Sequence, residues 1–503
     1  MKYFSTRGGR ERLSFEETVL TGLAPDGGLY IPEHIPLSLR AGKQNGKTTP
    51  SSTSELRALA EKSYSTFRHP QITPLKKLGE KTYVLELFHG PTFAFKDVAL
   101  QLLGNLFEFF LLRRNARKAA GEKPERLTVV GATSGDTGSA AIYGLRNKAD
   151  ISIFILHPKG RVSPIQEAQM TTVTDANVHN LAVNGTFDDC QDIVKALFAD
   201  RAFNAAHRLG AVNSINWARI LAQTVYYFLS YFQLRAQLGG AADATRMGLP
   251  MDRLVVATNA NDILARFWKS GAYEKVDSTD VGDAGVVAPA HGASDGKQTS
   301  VGGVKETLSP AMDILVSSNF ERLLWYLAYE GAAGEPHGAS KVEEAGSIVD
   351  GWMKKVKSDG RVQVPIAVVE LARRDFLAER ISDQQTLETI RYYFESEPSY
   401  VADPHTAVGL CAARIIATHN APSTVQIVLS TAHPAKFSEA VTRALESSAH
   451  FNFERDVLPD EFKGLLDRER RVIDVEAPEV ELVKKVIERF AESEQAAGGA
   501  GSV

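Results

Sequence analysis

The chain has 503 residues and a formal net charge of −4, so it lacks the basic excess of a nucleic-acid binder. With 44% hydrophobic and 23% charged residues it can bury a core and is not globally disordered, and its length allows about three domains. Two cysteines, Cys190 and Cys411, exclude a disulfide framework and a cysteine-rich zinc site and point to a reducing compartment.

The N-terminal stretch "MKYFSTRGGRERLSFEE" is polar and lacks the apolar core of a signal peptide. No segment approaches the roughly 18 uninterrupted apolar residues of a transmembrane helix. A cytoplasmic protein is expected, with no membrane partner. In "LSFEETVLTGL", Ser14 and Glu17 stand at capping-box spacing ahead of a helical pattern. "APDGGLYIP" reads as a turn into a short strand. The polar run that follows it reads as a surface loop, and residues 1–85 form a small N-terminal unit.

From there the pattern alternates. "RLTVVGATSGDTGSAAIYGLR", "DISIFILHPKGRVSPIQEAQM" and "NVHNLAVNGTFDDCQDIVKALF" each read as strand, turn and helix. Short apolar runs alternating with helices predict an α/β fold with mostly parallel sheets flanked by helices. Residues 86–240 form one such region. "RLVVATNANDILARFWKSG", "VPIAVVELARRDFLAERIS" and "PSTVQIVLSTAHPAKFSEAVTRAL" carry the elements of a second, residues 241–490. A Gly-, Ser- and Asp-rich insertion over about 275–305 interrupts it. The tail, 491–503, has no core-forming residues and is expected to be disordered.

Several stretches carry possible chemistry. "FHGPTFAFKDVALQLLG" places Lys96 where an apolar helical pattern begins, after a crowd of aromatic residues. Such a lysine usually extends its head to water; if buried, desolvation lowers its pKa and prepares the amine for Schiff-base chemistry. "GATSGDTGSAA" is a small-residue turn opening a helix, either tight packing or an anion site. It is neither a Walker A loop nor G-x-G-x-x-G. Lys159 and Arg161 follow a strand, where open α/β sheets bind ligands, or where a basic loop is simply solvated. Asn213, Ser214, Asn216 and Arg219 precede or open a helix, which N-capping alone would explain. His405 and His433 read as structural, and no metal-ligand spacing occurs.

These stretches together resemble threonine synthase, a fold-type II pyridoxal-phosphate enzyme, in its longer bacterial and fungal form. The matching residues are "APDGGLYIP", "ELFHGPTFAFKD", "GATSGDTGSAA", "HPKGRVSPIQEAQM", "NSINWARI", "TLSPAMDILVSSNFERLLWY", "DPHTAVG" and "LSTAHPAKF", in the family's order along nearly the whole chain. The resemblance implies a fold-type II architecture, pyridoxal 5'-phosphate as cofactor, and conversion of O-phosphohomoserine and water to L-threonine and phosphate. Lys96 matches the cofactor-holding, proton-shuttling lysine. Ser134, Gly135, Asp136 and Thr137 match the turn that meets the substrate carboxylate. Thr431 matches the residue facing the pyridine nitrogen, and Asn261 is a further cofactor-binding candidate. Lys159, Arg161, Ser163, Asn213, Ser214 and Asn216 are candidates for the substrate phosphate. Asp97 is expected to order the lysine segment.

One family feature is missing. The glycine-rich "PTGNFGD" loop, which binds the cofactor phosphate, belongs where this chain reads "RAQLGGAADATRMGLP", Arg235 to Pro250. "ATNANDIL" superficially resembles it but matches a later strand and contains no glycine. A skipped coding segment, a substitute phosphate nest around Gly239 and Gly240, or a non-catalytic relative would each account for this. Losing the anchor and its strand predicts reduced cofactor affinity and stability, and weak or no activity. Another fold-type II lyase or dehydratase is the alternative enzyme.

Overall fold

The computed structural model describes residues 1–35, 53–239, 251–275, 304–332 and 339–499. Most of the polar run after "APDGGLYIP", most of the 275–305 insertion, and residues 240–250 of the Arg235–Pro250 stretch lie outside them.

The alternating segments build one five-stranded parallel sheet, ordered Ile473–Val475, Val178–Val183, Ile151–Pro158, Leu127–Ala132, Leu209–Gly210. Ile151–Pro158 and Val178–Val183 are buried along their whole length. That is why they read as continuous apolar runs, the mark of parallel strands covered on both faces. Successive residues alternate between two cores. Ile153 and Ile155 pack with Phe107 and Ile142, while Phe154 and Leu156 pack with Cys190 and Ile487.

Helix Lys96–Asn115 lies against helix Asp136–Leu145, which opens after the Leu127–Ala132 strand. The two meet through glycines: a Cβ on Gly104 would stand 1.9 Å from the Gly144 carbonyl oxygen. This close crossing brings the helices together beside the sheet.

Two smaller pieces complete the α/β frame. Thr82–Glu86 pairs in parallel with Gln426–Ser430 and antiparallel with Leu75–Lys77. Leu254–Thr258 pairs in parallel with Phe376–Arg380. Helix Pro404–Ala417 packs on both pieces, against Gln426–Ser430 and against Leu254–Thr258. Near the N-terminus, helix Phe15–Thr21 carries the expected capping box: Ser14 Oγ accepts from the Glu17 N–H at 3.3 Å, and the Glu17 carboxylate accepts from the Ser14 N–H at 2.7 Å.

Strand pairing crosses the boundaries read from sequence. Thr82–Glu86 straddles the 85/86 boundary and pairs with Gln426–Ser430, while Ile473–Val475 joins the sheet of the 86–240 region. Parallel strands need long crossovers, so segments distant in sequence become neighbours. The tail also differs from expectation. Helix Val480–Gly499 continues through most of it, in keeping with the helix preference of Ala, Glu and Gln.

Candidate active site

The site forms at the C-terminal ends of three parallel strands, where loops can converge on a ligand. Lys96 follows Thr82–Glu86, Asp136 follows Leu127–Ala132, and Thr431 follows Gln426–Ser430. Backbone bonds stitch the first loop to the third. The Leu87 N–H donates to Ser430 O, the Phe95 N–H to Thr431 O at 2.7 Å, and the His433 N–H to Phe93 O at 3.0 Å. The lysine loop is then locked from inside. The Asp97 carboxylate accepts from the Thr92 N–H at 2.8 Å and from Thr92 Oγ1 at 2.7 Å. A Cβ at position 90 would stand 2.4 Å from the Asp97 Cβ, so the loop closes only around glycine. Asp97 thus orders the lysine segment as expected, and burial pushes its carboxyl up to about 6 against the two Thr92 donors.

Lys96 is the first residue of its helix and only 9% exposed. Its Nζ stands 3.8 Å from Asp136 Oδ2. Burial brings the amine down to about 8; Asp136 opposes this, and Arg219 and Lys436 reinforce it. The helix N-terminus is also the wrong end for a cation. An amine so placed gives up its proton near neutrality and becomes a nucleophile.

Asp136 opens its own helix, and a second lysine holds it. Lys436 Nζ, fully buried, is 2.6 Å from Asp136 Oδ1 and donates to Thr92 O at 2.8 Å. Gln166 Nε2 donates to the same carboxylate at 2.8 Å. Burial works against the Asp136 charge, but Lys436, Lys96 and Gln166 outweigh it and hold the carboxyl far below its usual range. Gly135 adopts φ +147°, and a Cβ there would run into the Gln166 side chain at 2.5 Å. Thr133 Oγ1 accepts from the Gly135 and Gly138 N–H groups. The first-turn N–H groups of Asp136 and Thr137 have no helical partner to donate to, which suits an anion.

Arg219, one turn into helix Trp217–Gln237, is 3% exposed, and its Nε and Nη1 have no partner. Burial lowers it to about 10. A buried guanidinium without a counter-ion is expensive unless an anion arrives. A desolvated amine beside an unpaired guanidinium fits a group with an aldehyde and an acidic ester, as pyridoxal phosphate has, together with an anionic substrate.

The other predicted residues divide. Thr431 lies beside the lysine loop; its N–H donates to Thr406 Oγ1 at 3.1 Å, and Thr406 hydrogen-bonds to the fully buried Asp403. Ser163 does not stand in the cluster itself. It caps helix Pro164–Thr171 and donates to Gln166 Oε1 at 3.0 Å, so it acts through Gln166 on Asp136. Lys159 pairs with Asp474 at 2.8 Å, and Arg161 is exposed and faces Asp189. Neither pairs with Lys96 among the described residues; Lys159 turns to the edge strand Ile473–Val475 of the sheet. Asn216 is fully buried but spent as a cap: Oδ1 accepts from the Ala218 N–H and Nδ2 donates to Val19 O. Asn213 Oδ1 accepts from the Ile215 N–H, and Ser214 is exposed in the same turn. Asn261 does not reach the cofactor cluster. Its amide is consumed in a polar knot with Asn259, Lys305 and Asp313. His405 and His433 are structural as expected: His405 bridges Asp403 and the Ala311 N–H, and His433 accepts from the Ala435 N–H.

Sequence reading missed Lys436 and Gln166 and left Arg219 without a role. Lys436 lies five residues past Thr431, within a run otherwise small or apolar. Arg219, like Lys96, is a cation in the first turn of a helix, and that electrostatic mismatch is the signal that could have marked both.

Comparison with known proteins agrees with this geometry. Residues 66–342 match the family model described as pyridoxal-phosphate dependent enzyme. Residues 2–66 match threonine synthase N terminus, and 406–487 match threonine synthase, C-terminal. Threonine synthase of Schizosaccharomyces pombe is 52% identical over 99% of both chains, and that of Saccharomyces cerevisiae is 49% identical over 97% of both. The first alignment runs over 534 positions against 503 residues here, so at least 31 positions of that relative have no counterpart in this chain. The crystal structure of the yeast threonine synthase superposes with a TM-score of 0.84 at 46% identity, covering 98% of this chain and 99% of that one. The pyridoxal-phosphate-bound threonine synthase from Brucella melitensis gives 0.76 at 36% identity, covering 97% and 99%. A full-length match on this scale, with the lysine, the helix-opening turn and the threonine loop assembled at one place, makes the chain a member of the threonine synthase family of pyridoxal-phosphate enzymes.

Proposed function

We propose that this protein converts O-phosphohomoserine and water to L-threonine and inorganic phosphate, and that the residues around Lys96 carry the reaction. The observation behind this is the buried Lys96–Asp136–Lys436 cluster with the unpaired Arg219 guanidinium beside it. Pyridoxal phosphate, when bound, supplies an electron sink that makes protons next to the substrate nitrogen removable. Lys96 would hold it, and Thr431 would face its ring nitrogen with a neutral hydroxyl.

The chain's own residues do the rest. Lys96, poised near neutrality, takes the proton from the substrate Cα and relays protons at Cβ. The Cγ–O bond breaks, phosphate departs, and a proton ends on Cγ, which becomes the methyl group. Water adds its hydroxyl to Cβ, and Lys96 returns a proton to Cα. The Ser134–Thr137 turn receives the substrate carboxylate on backbone N–H groups, because the Asp136 side chain is committed to the two lysines. Arg219 takes the phosphate, supported by Asn213 and Ser214 in the preceding turn. Asp136 keeps its charge and so positions Lys96. A cytoplasmic setting belongs to the same reading, supported by two unpaired buried cysteines and by the absence, among the described residues, of a helix able to cross a membrane.

The test is to add pyridoxal phosphate to the purified chain, reduce with borohydride, map the labelled peptide, and assay O-phosphohomoserine. Label on Lys96, with threonine and phosphate formed in equal amounts, is the expected result. Activity should depend on added cofactor, since the family's phosphate loop has no counterpart in the sequence. Faster turnover of phosphoserine or threonine than of O-phosphohomoserine would overturn the assignment in favour of another lyase.

A further inference from the structure

Behind the lysine loop lies a second cavity, of about 670 Å³, that the chemistry above leaves unused. Pro91 and Phe93 wall it on the loop side, and Lys96, Asp136 and Lys436 take no part in its lining. Its volume is that of a small-molecule site. Five cations, Lys62, Arg68, Arg146, Lys148 and Arg468, face it against one carboxylate, Glu461. Some of this charge is met nearby. Arg68 pairs with Glu461 at 2.6 Å and covers the Phe93 ring; Lys62 and Lys148 share Glu108 at 2.7 and 3.5 Å; Arg146 pairs with Asp175 at 2.7 Å. Arg468 has no carboxylate partner among the described residues.

Two amides give the cavity polarity as well as charge. Gln101 is 6% exposed with Nε2 unpartnered, and Gln169 is 3% exposed with Oε1 unpartnered. Buried amide atoms are normally satisfied, and both glutamines line the same space. One is a donor and one an acceptor, so an occupant that satisfies both presents an acceptor and a donor of its own. The cations require that it also be an anion, and guanidinium groups suit phosphate oxygens.

We propose that this cavity is a second binding site that takes a phosphate-bearing small molecule, distinct from the site at Lys96. It is linked to that site by one carbonyl. Gln169 Nε2 donates to Thr92 O at 3.3 Å, and the same oxygen accepts from Lys436. An occupant that draws on Gln169 therefore acts on the residue that pins Asp97.

The experiment is calorimetric titration of the full chain, without added cofactor, with ADP and separately with pyrophosphate at constant ionic strength. Saturable binding with Kd below about 1 mM is expected for at least one of them. Tighter binding of ADP assigns the amides to the organic part, and Gln101→Leu should then weaken ADP alone. Equal binding assigns the site to its cations. In either case Arg468→Ala, at an exposed position, should weaken binding about tenfold or more, and Arg219→Leu should leave it unchanged. No saturable binding of either probe overturns the proposal. So does binding that Arg468→Ala leaves intact or that Arg219→Leu abolishes.

Discussion

The five-stranded sheet and the two-stranded piece of Leu254–Thr258 and Phe376–Arg380 obey different rules. Every residue of Ile151–Pro158 is buried, whereas no residue of Phe376–Arg380 and only Thr258 of Leu254–Thr258 is. The first strand has ladder partners on both edges and helices on both faces. The others have, among the described residues, one paired edge each, although helix Pro404–Ala417 lies over this piece as over the three-stranded one. The stretch where the glycine-rich loop was expected from sequence, Arg235–Pro250, precedes Leu254–Thr258 directly. The site draws Asp136 from the complete sheet and Lys96 and Thr431 from one of the smaller pieces. That piece is centred on Thr82–Glu86, which is paired on both edges and buried at four of its five residues, so the site residues come from the better-covered sheets.

Mutations should read this difference as energy. The largest effect is expected where the complete sheet's covering helices cross. In Gly104→Val the new side chain meets the Gly144 carbonyl, backbone that cannot swing aside. A loss of about 4 kcal/mol or more in denaturant unfolding is expected. Next, Ile153→Ala removes a side chain with no exposed surface and should cost about 3 kcal/mol. Val255→Ala, at a position 41% exposed, should change stability by less than about 0.5 kcal/mol. Equal costs at 153 and 255 would break the comparison and mean that the two-stranded piece is as well packed as the large sheet.

The same contrast decides what sequence could tell. Doubly covered strands are long apolar runs, so "SIFIL" and "HNLAV" announced themselves, as did the capping box at Ser14 and Glu17. Pairings between Thr82–Glu86 and Gln426–Ser430, more than 300 residues apart, leave no local trace. In the site, Lys96 stood out through the resemblance of its stretch to the family's, since a lysine at a helix start by itself usually reaches water. Lys436 did not, because one lysine in "HPAKF" does not reveal that it turns inward onto Asp136. Lys159 and Arg161 misled for the opposite reason: position after a strand was right, but the side chains leave toward Asp474 and Asp189. Asn261, a cofactor candidate by resemblance, instead knots a loop with Asn259, Lys305 and Asp313.

The effect that tests the site most directly concerns Lys436. Its charge, with burial and Arg219, keeps the Lys96 amine down at about 8. Lys436→Met removes one depressing charge and leaves Asp136 facing Lys96 alone, so both changes push the Lys96 pKa up. Attachment of an aldehyde needs the neutral amine, the form that prevails above the pKa. The pH midpoint for attachment should therefore rise from about 8 by on the order of one unit. Pyridoxal lacking its phosphate is the better probe, because its reaction with Lys96 does not depend on the phosphate anchor, and the absorbance change follows it directly. Lys436→Arg keeps the charge and should keep the midpoint, while circular dichroism confirms that both variants fold. A midpoint that stays near 8 in Lys436→Met would mean that Asp136, freed of its second partner, takes up a proton instead, and that burial alone sets the reactivity of Lys96.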